Sequence, residues 1–233
     1  MAARSRSPSR EPAVYFLAIF QGMHQTACSP TYEGMLEQAF AAAVRRAAPG
    51  ARLLTRCFSP PEPDRVWAHY AAENYAATTD VPDLAGDLQR SMGGATGPWQ
   101  WFETLPPGAR GAVAGISNGG KPATAAALWF DGEAHRGERR PRASVEALAL
   151  VSSMPETGQQ ESLARHFVLR RQKKIFMTIC ARDNWGVDRM YAFAGRVLAD
   201  VKAFGDQASQ CHAKEDPQLM RKVGKDLAEQ LVA

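Results

Sequence analysis

The sequence predicts an α/β protein in which a mainly parallel central sheet is covered by helices on both faces. Short apolar runs rich in Val, Ile, Leu and Phe recur along the chain, as in strands that are buried on both faces. Segments with apolar residues at helical spacing alternate with these runs, and strands that alternate with helices form parallel sheets. The chain has 233 residues, which is long enough to bury a full core in one domain.

The first residues differ in composition from the rest of the chain. Residues 1–12 are rich in Arg, Ser and Pro, so we expect a disordered tail followed by a single domain over residues 13–233. Three arginines, Arg4, Arg6 and Arg10, lie in this tail, and the formal net charge of +4 therefore leaves the remainder close to neutral. The charge pattern predicts no nucleic-acid-binding surface.

The predicted elements follow one another from residue 13 onward. Residues 13–20 form a continuous apolar run typical of a central strand, and residues 32–48 form a helix that ends at Pro49-Gly50. The later elements are a strand over 52–58, a helix over 84–92, a strand over 109–116, a helix over 122–130, strands over 145–151 and 174–181, and helices over 190–202 and 217–232. Residues 59–97 are otherwise rich in Pro, Gly, Asp and aromatic residues, and Trp99 and Trp101 are assigned to a loop.

The middle of the chain carries the most informative motif. Gly115-Ile116-Ser117-Asn118-Gly119 lies between a predicted strand and a predicted helix and matches the G-x-S-x-G pattern of a nucleophile elbow. Glycine at positions 115 and 119 avoids collisions with the neighbouring strand and helix when the serine lies at the tip of such a turn. The helix N-terminus would then point at Ser117, where an oxyanion would form.

A serine nucleophile needs a base and an acid that orients the base, and after an elbow these follow in the order acid, then histidine. Asp183 directly follows the predicted strand 174–181 and is the predicted acid, with Asp188 in the same loop as the alternative. His212 lies in a polar loop before the last helix and is the predicted base, because the other histidines all precede Asp183. No His, Cys, Asp or Glu cluster has metal-ligand spacing, so no metal or other cofactor is predicted.

These features resemble the α/β-hydrolase superfamily, and within it the small carboxylesterase, acyl-protein thioesterase and lysophospholipase group. The resemblance covers nearly the whole chain after the tail and rests on the first strand, the elbow, the strand 147–155 with its Ser/Pro end, the loop Cys180-Ala-Arg-Asp183, and His212. It implies an α/β-hydrolase fold without a large lid and a Ser117, His212 and Asp183 triad that forms an acyl-enzyme. The implied substrate is an ester or thioester, with short acyl esters, lysophospholipid and S-acylated protein all left open.

The loop after the first strand departs from the pattern of this family. These hydrolases usually carry a His-Gly pair there, followed by a residue whose backbone N–H enters the oxyanion hole, whereas this chain reads Gln21-Gly22-Met23. The resemblance implies that the N–H groups of Met23 and Asn118 form the hole. One lost oxyanion donor costs about two to three orders of magnitude in rate. The alternative is therefore a non-catalytic protein of this fold that binds a ligand or partner.

A second alternative comes from the same stretch of sequence. Residues 115–121 also match G-x-x-x-x-G-K, the core of a phosphate-binding loop. Pro122 follows Lys121 where such a loop needs a Ser or Thr hydroxyl for Mg²⁺, and proline also lacks a backbone donor. The pattern therefore disfavours nucleotide binding.

Aromatic residues of the loops and unassigned segments are expected mainly to pack in the interior, with some lining an apolar acyl groove: Phe58, Trp67, Tyr70, Trp99, Trp101 and Trp185.

The four cysteines, Cys28, Cys57, Cys180 and Cys211, are far apart in sequence and include no C-x-x-C pair. With no secretory apolar region ahead of them, this pattern predicts free thiols in a reducing compartment and a cytoplasmic location. No apolar run is long enough to cross a bilayer, so no transmembrane segment is predicted.

Overall fold

The computed structural model describes residues 12–22, 27–29, 32–68, 83–131, 142–180, 187–204 and 216–233. Its strands are β1 (Val14–Phe20), β2 (Arg52–Phe58), β3 (Arg110–Ile116), β4 (Ser144–Val151), β5 (Lys174–Cys180) and β6 (Asp200–Phe204). They form one sheet in the order β2-β1-β3-β4-β5-β6, and each neighbouring pair is parallel. The predicted α/β class with a parallel sheet is confirmed.

The described helices are α1 (Glu33–Ala47), α2 (Leu84–Met92), α3 (Pro98–Glu103), α4 (Gly120–Phe130), α5 (Thr157–Ser162), α6 (Val187–Arg196) and α7 (Pro217–Val232). A 3₁₀ turn, Ser117–Gly119, precedes α4, and α5 continues as a π-helix over Leu163–Arg170. No large lid is present in the part of the chain that the structure describes, as the resemblance implied. None of the described helices is long and apolar enough to cross a membrane.

Alternate residues of the strands contribute to two hydrophobic cores, one on each face of the sheet. Phe16 and Phe20 of β1 pack on one face with residues of α2, α3, α4, the π-helix and α6. Tyr15, Leu17 and Ile19 of the same strand pack on the other face with α1 and α7. Because β1 is buried on both faces, its sequence reads as a continuous apolar run. Helices on both faces of the sheet are confirmed.

The segment after α6 corrects one prediction. A helix over residues 190–202 was expected, but α6 ends at Arg196 and β6 follows as the edge strand. Leu198 has a φ of 49°, a left-handed conformation that does not continue an α-helix. The buried side chain of Val197 and the partly buried side chain of Val201 are four residues apart, so the apolar spacing mimics one continuous helix.

Two further elements differ from the prediction. Trp99 and Trp101 were assigned to a loop, but they lie on the short helix α3, which starts with Pro98 at a position where proline is favoured. The helical segment over residues 157–170 was not predicted at all. Its second half is a π-helix, a rare form whose side-chain spacing differs from the α-helical period.

The expectation of free thiols is wrong for Cys28 and Cys57, which form a disulfide with their Cα atoms 6.2 Å apart. The two cysteines are 29 residues apart in sequence. They meet because β1 and β2 are parallel neighbours in which Ile19 pairs with Cys57, so the segment after β1 lies beside the end of β2. Cys211 and the side chain of Cys180 lie outside the described residues.

Candidate active site

Ser117 lies where the carboxyl end of β3 turns into α4. Its φ is 52°, in the left-handed region that residues other than glycine rarely adopt. A single 3₁₀ turn separates it from the first residue of α4 at Gly120. The serine therefore lies at a sharp strand-to-helix turn, next to the N-terminus of a helix that favours negative charge.

Glycine is required on both sides of this turn by close backbone contacts. A Cβ atom at Gly115 would lie 2.5 Å from the Cα atom of Gly120 at the start of α4. A Cβ atom at Gly119 would overlap the carbonyl oxygens of Phe20 and Gln21 at the end of β1. The two glycines thus allow helix, strand and serine to approach more closely than side chains would permit.

Ser153, which follows β4, holds the backbone of the serine turn from the other side. Its Oγ donates a hydrogen bond to the carbonyl oxygen of Ser117 at 2.6 Å, and Ser153 is buried. A Cβ atom at Gly120 would overlap this same Oγ. Lys121 is also buried, so the turn is closely packed and this lysine is not open to solvent.

The loop after β1 lies directly against Ser117. A Cβ atom at Gly22 would lie 3.3 Å from the Cβ atom of Ser117 and 3.9 Å from its Oγ. The backbone N–H of Gln21 donates to the carbonyl oxygen of Phe58 at 3.0 Å, which extends the pairing of β1 with β2 by one residue. Met23, the predicted first oxyanion donor, lies outside the described residues.

The side chain of Gln21 stabilises this loop from within. Gln21 is fully buried, and its Nε2 donates to the carbonyl oxygen of Ala27 at 2.8 Å. Its Oε1 accepts a hydrogen bond from Ser59 Oγ at 2.6 Å. Gln21, which stands where the resemblance implies a histidine, thus connects Ala27 and the end of β2.

Asn118, the predicted second oxyanion residue, is held through its side chain. Its Oδ1 accepts a hydrogen bond from the backbone N–H of Trp67 at 2.8 Å. Its Nδ2 donates to the carbonyl oxygen of Ala68 at 3.1 Å. Because Asn118 is buried, these bonds replace the hydration that its amide group loses.

The predicted acid and base, Asp183 and His212, lie outside the described residues. The segments that contain them follow β5 and β6 and therefore begin at the carboxyl ends of parallel strands, at the same edge of the sheet as Ser117. The alternative acid, Asp188, was expected in a loop but lies exposed in the first turn of α6. Its charge there complements the helix dipole. The choice of acid stays a prediction.

Of the aromatic residues expected to pack in the interior or line a groove, those that the structure describes pack against the hydrophobic core. The rings of Phe58 and Trp67 each lie 5.4 Å from the ring of Phe20, and Trp67 is almost fully buried. Trp99 and Trp101 are partly buried against the same core. Tyr70 and Trp185 lie outside the described residues.

Four hydrogen bonds around Ser117 were not predicted: the one that the Gln21 side chain accepts from Ser59, the two that Trp67 donates, and the one that Ser153 donates. They join residues that are 36 to 51 positions apart in sequence. No local pattern in a single sequence reports such pairs. The only signal in the sequence is the presence of polar residue types in the segments that the fold brings to the motif.

Comparison with known proteins shows which fold the chain has. No protein-family model matches the chain, and no curated protein matches it in sequence. Among solved structures it is similar to acyl-protein thioesterase 2 of Zea mays, with 97% of both chains covered, a TM-score of 0.61 and 13% identity. The chain has the α/β-hydrolase fold.

The similarity extends to a second α/β-hydrolase structure, the dienelactone hydrolase of Anabaena variabilis. It covers 94% of this chain and 86% of that protein, with a TM-score of 0.50 and 14% identity. The resemblance inferred from the sequence is thus confirmed as a fold. Similarities at this level of identity establish the fold alone, because one fold serves many functions.

Proposed function

We propose that this protein is a serine hydrolase that cleaves carboxylic ester or thioester bonds through an acyl-enzyme. The observation that carries the proposal is the left-handed conformation of Ser117 at a turn between a parallel strand and a helix. Such a conformation costs energy in a non-glycine residue, and strain of this kind is concentrated at functional sites. In a nucleophile elbow it exposes the serine Oγ above the sheet.

The reaction follows the chemistry of a Ser-His-Asp triad. Ser117 Oγ attacks the carbonyl carbon of the substrate while His212 accepts the hydroxyl proton, and Asp183 fixes the orientation of the imidazole. His212 then donates that proton to the departing alcohol or thiol, which leaves the acyl group on Ser117. Water, deprotonated by His212, attacks the carbonyl carbon of the acyl-enzyme. The bond from that carbon to Ser117 Oγ then breaks, His212 returns the proton to Oγ, and the carboxylic acid leaves.

The oxyanion of each tetrahedral intermediate is assigned to the backbone N–H groups of Met23 and Asn118. Support comes from Gly22, which lies against Ser117, and from the hydrogen bonds that hold Gln21 and Asn118 in place. Donors that are fixed before the reaction stabilise the transition state without reorganisation. The N-terminus of α4 adds favourable electrostatics at the same point.

The substrate class is a carboxylic ester or a thioester. The two similar structures are named as an acyl-protein thioesterase and a dienelactone hydrolase, so thioesters of acylated proteins and small esters are both candidates, and lipid esters stay among them. We propose no compartment, because the free thiols on which the cytoplasmic expectation rested are not found at Cys28 and Cys57, and disulfides are rare in reducing compartments.

The test is active-site labelling with a fluorophosphonate probe. Wild type should be labelled, whereas Ser117→Ala should not, and His212→Ala should lose labelling by about two orders of magnitude or more because the serine is no longer activated. Ser162→Ala, which removes a hydroxyl from the end of α5, is the matched control and should label like wild type. Comparison of Asp183→Asn with Asp188→Asn identifies the acid.

Turnover of p-nitrophenyl esters of increasing chain length, beside an acyl-thioester, then defines the acyl preference. A folded wild-type protein that is neither labelled nor active would overturn the proposal. That outcome would favour the non-catalytic binding protein of the same fold.

A further inference from the structure

Trp67 is hydrogen-bonded to both segments that would build the oxyanion hole. It lies between β2 and α2 and is 1% exposed. Its indole Nε1–H donates to the carbonyl oxygen of Gln21 at 2.7 Å, while its backbone N–H donates to Asn118 Oδ1 at 2.8 Å. One residue therefore joins the loop after β1 to the turn after β3.

Trp67 is itself fixed by contacts on other sides. Its carbonyl oxygen accepts a hydrogen bond from Ser91 Oγ of α2 at 3.0 Å. Its ring lies edge-on against Phe20, the last residue of β1, with 5.4 Å between ring centroids. A buried side chain held in this way has one orientation, so the direction of its N–H bond is also fixed.

We propose that Trp67 is a positioning residue for the oxyanion hole, an inference that rests on the proposed function. The carbonyl group of Gln21 belongs to the peptide that joins Gln21 to Gly22, immediately before the peptide whose N–H is the predicted donor of Met23. The indole N–H holds that carbonyl, and the Trp67 backbone holds the side chain of Asn118. The Gln21–Gly22 peptide and the Asn118 side chain are thereby held in fixed positions relative to each other, on two sides of Ser117.

The functional consequence follows from the geometry that oxyanion stabilisation requires. Donors act on the charge that develops in the transition state, and a displacement of about 1 Å can cost about a hundredfold in rate. The ester in its ground state depends less on these donors, so loss of positioning should lower kcat more than it raises KM.

Trp67→Phe tests the proposal, because it keeps an aromatic ring against Phe20 and removes the indole donor. We expect kcat for p-nitrophenyl esters to fall about tenfold or more, with KM changed by less than about threefold. Binding of an alkyl boronic acid, a mimic of the tetrahedral intermediate, should weaken by about the same factor as kcat/KM. Trp129→Phe is the matched control, since the Trp129 ring packs against the same core, 6.2 Å from Phe102, and is not among the residues expected to line an acyl groove.

The outcomes separate this inference from the proposed function. If wild type shows Ser117-dependent turnover and Trp67→Phe behaves like Trp129→Phe, the positioning role is overturned and the hydrolase stands. If wild type shows no such turnover, the proposed function fails and the inference fails with it.

A second variant covers the case in which Trp67→Phe does not fold, as judged from thermal unfolding. Ser91→Ala removes the hydrogen bond to the Trp67 carbonyl and leaves the indole in place. We expect a smaller loss of kcat, about two- to fivefold, with KM unchanged, and Ser162→Ala is its control. Equal kcat values for Ser91→Ala and Ser162→Ala would then overturn the inference.

Discussion

Gly119 shows how strongly single residues constrain the turn at Ser117. The space where its side chain would begin is occupied by the carbonyl oxygens of Phe20 and Gln21. These atoms lie at the end of β1 and the start of the loop that would carry an oxyanion donor, so a side chain at position 119 would displace that loop as well as the serine. At this position stability and catalysis depend on the same close contact.

Gly119→Ala should therefore lose both properties. We expect the free energy of unfolding to fall by about 1–3 kcal/mol, because the neighbouring backbone has to shift, and fluorophosphonate labelling to fall about a hundredfold. Urea unfolding and labelling rates measure the two effects. The control is Gly195→Ala on α6, where the added methyl group meets open space and should raise stability by about 0.5–1 kcal/mol. A Gly119→Ala protein as stable and reactive as wild type would contradict this account of the turn.

The serine turn could be predicted because each of its requirements is local. A strand, two glycines, a serine and a helix follow one another over residues 109–130, and the sequence shows all of them. The roles of Gln21, Trp67 and Ser153 could not be predicted, since their hydrogen-bond partners are brought close only by the sheet. Local chemistry is visible in one sequence, whereas the contacts that position it are products of the fold.

At the scale of elements, the pairing of β1 with β2 organises the segment that follows β1. The Gln21 side chain connects this segment to Ser59, and the disulfide connects Cys28 to Cys57 at the end of β2. Both connections join described residues of this segment to the end of β2. The positions of Gln21 and Cys28 relative to β2 therefore depend on covalent as well as polar contacts.

Removal of the disulfide should weaken the fold measurably. For the 29-residue separation between the two cysteines, loop closure predicts that Cys57→Ser lowers the free energy of unfolding by about 3–4 kcal/mol. Dithiothreitol should lower the stability of wild type by the same amount and leave Cys57→Ser unchanged. Denaturant unfolding with and without reductant gives the measurement. Equal sensitivity of both proteins to reductant would show that the effect does not arise from this bond.

The elements that could not be predicted are those whose pattern is ambiguous by itself. β6 is an edge strand whose residues Asp200 to Ala203 alternate between polar and apolar, and the apolar spacing of α6 continues into it. Residues 200–204 form a strand and not a continuation of α6, because only a strand can pair with β5 over Phe176 to Cys180. The strands buried on both faces carry no such ambiguity and were predicted almost to the residue.

At the scale of the whole molecule, the two faces of the sheet are covered by different elements, and the serine turn is associated with one of them. One face holds α4 with the serine turn and the aromatic cluster, whereas the other is covered by α1 and α7. On that second face the two helices approach backbone to backbone, since a Cβ atom at Gly224 of α7 would overlap the carbonyl oxygen of Leu36 in α1. The packing of α1 and α7 therefore contributes stability from the face opposite α4.

Gly224→Ala should lower the stability of the protein and leave its catalytic activity unchanged. The added methyl group forces α1 and α7 apart, so we expect the free energy of unfolding to fall by about 1–3 kcal/mol. The hydrolase activity per folded molecule, measured well below the unfolding temperature, should stay within about twofold of wild type, because no contact of Ser117, Gln21 or Asn118 is touched. Gly158→Ala on α5, which meets open space, is the matched control. A folded Gly224→Ala protein that has lost activity would show that the α1 and α7 face also sets the geometry around Ser117.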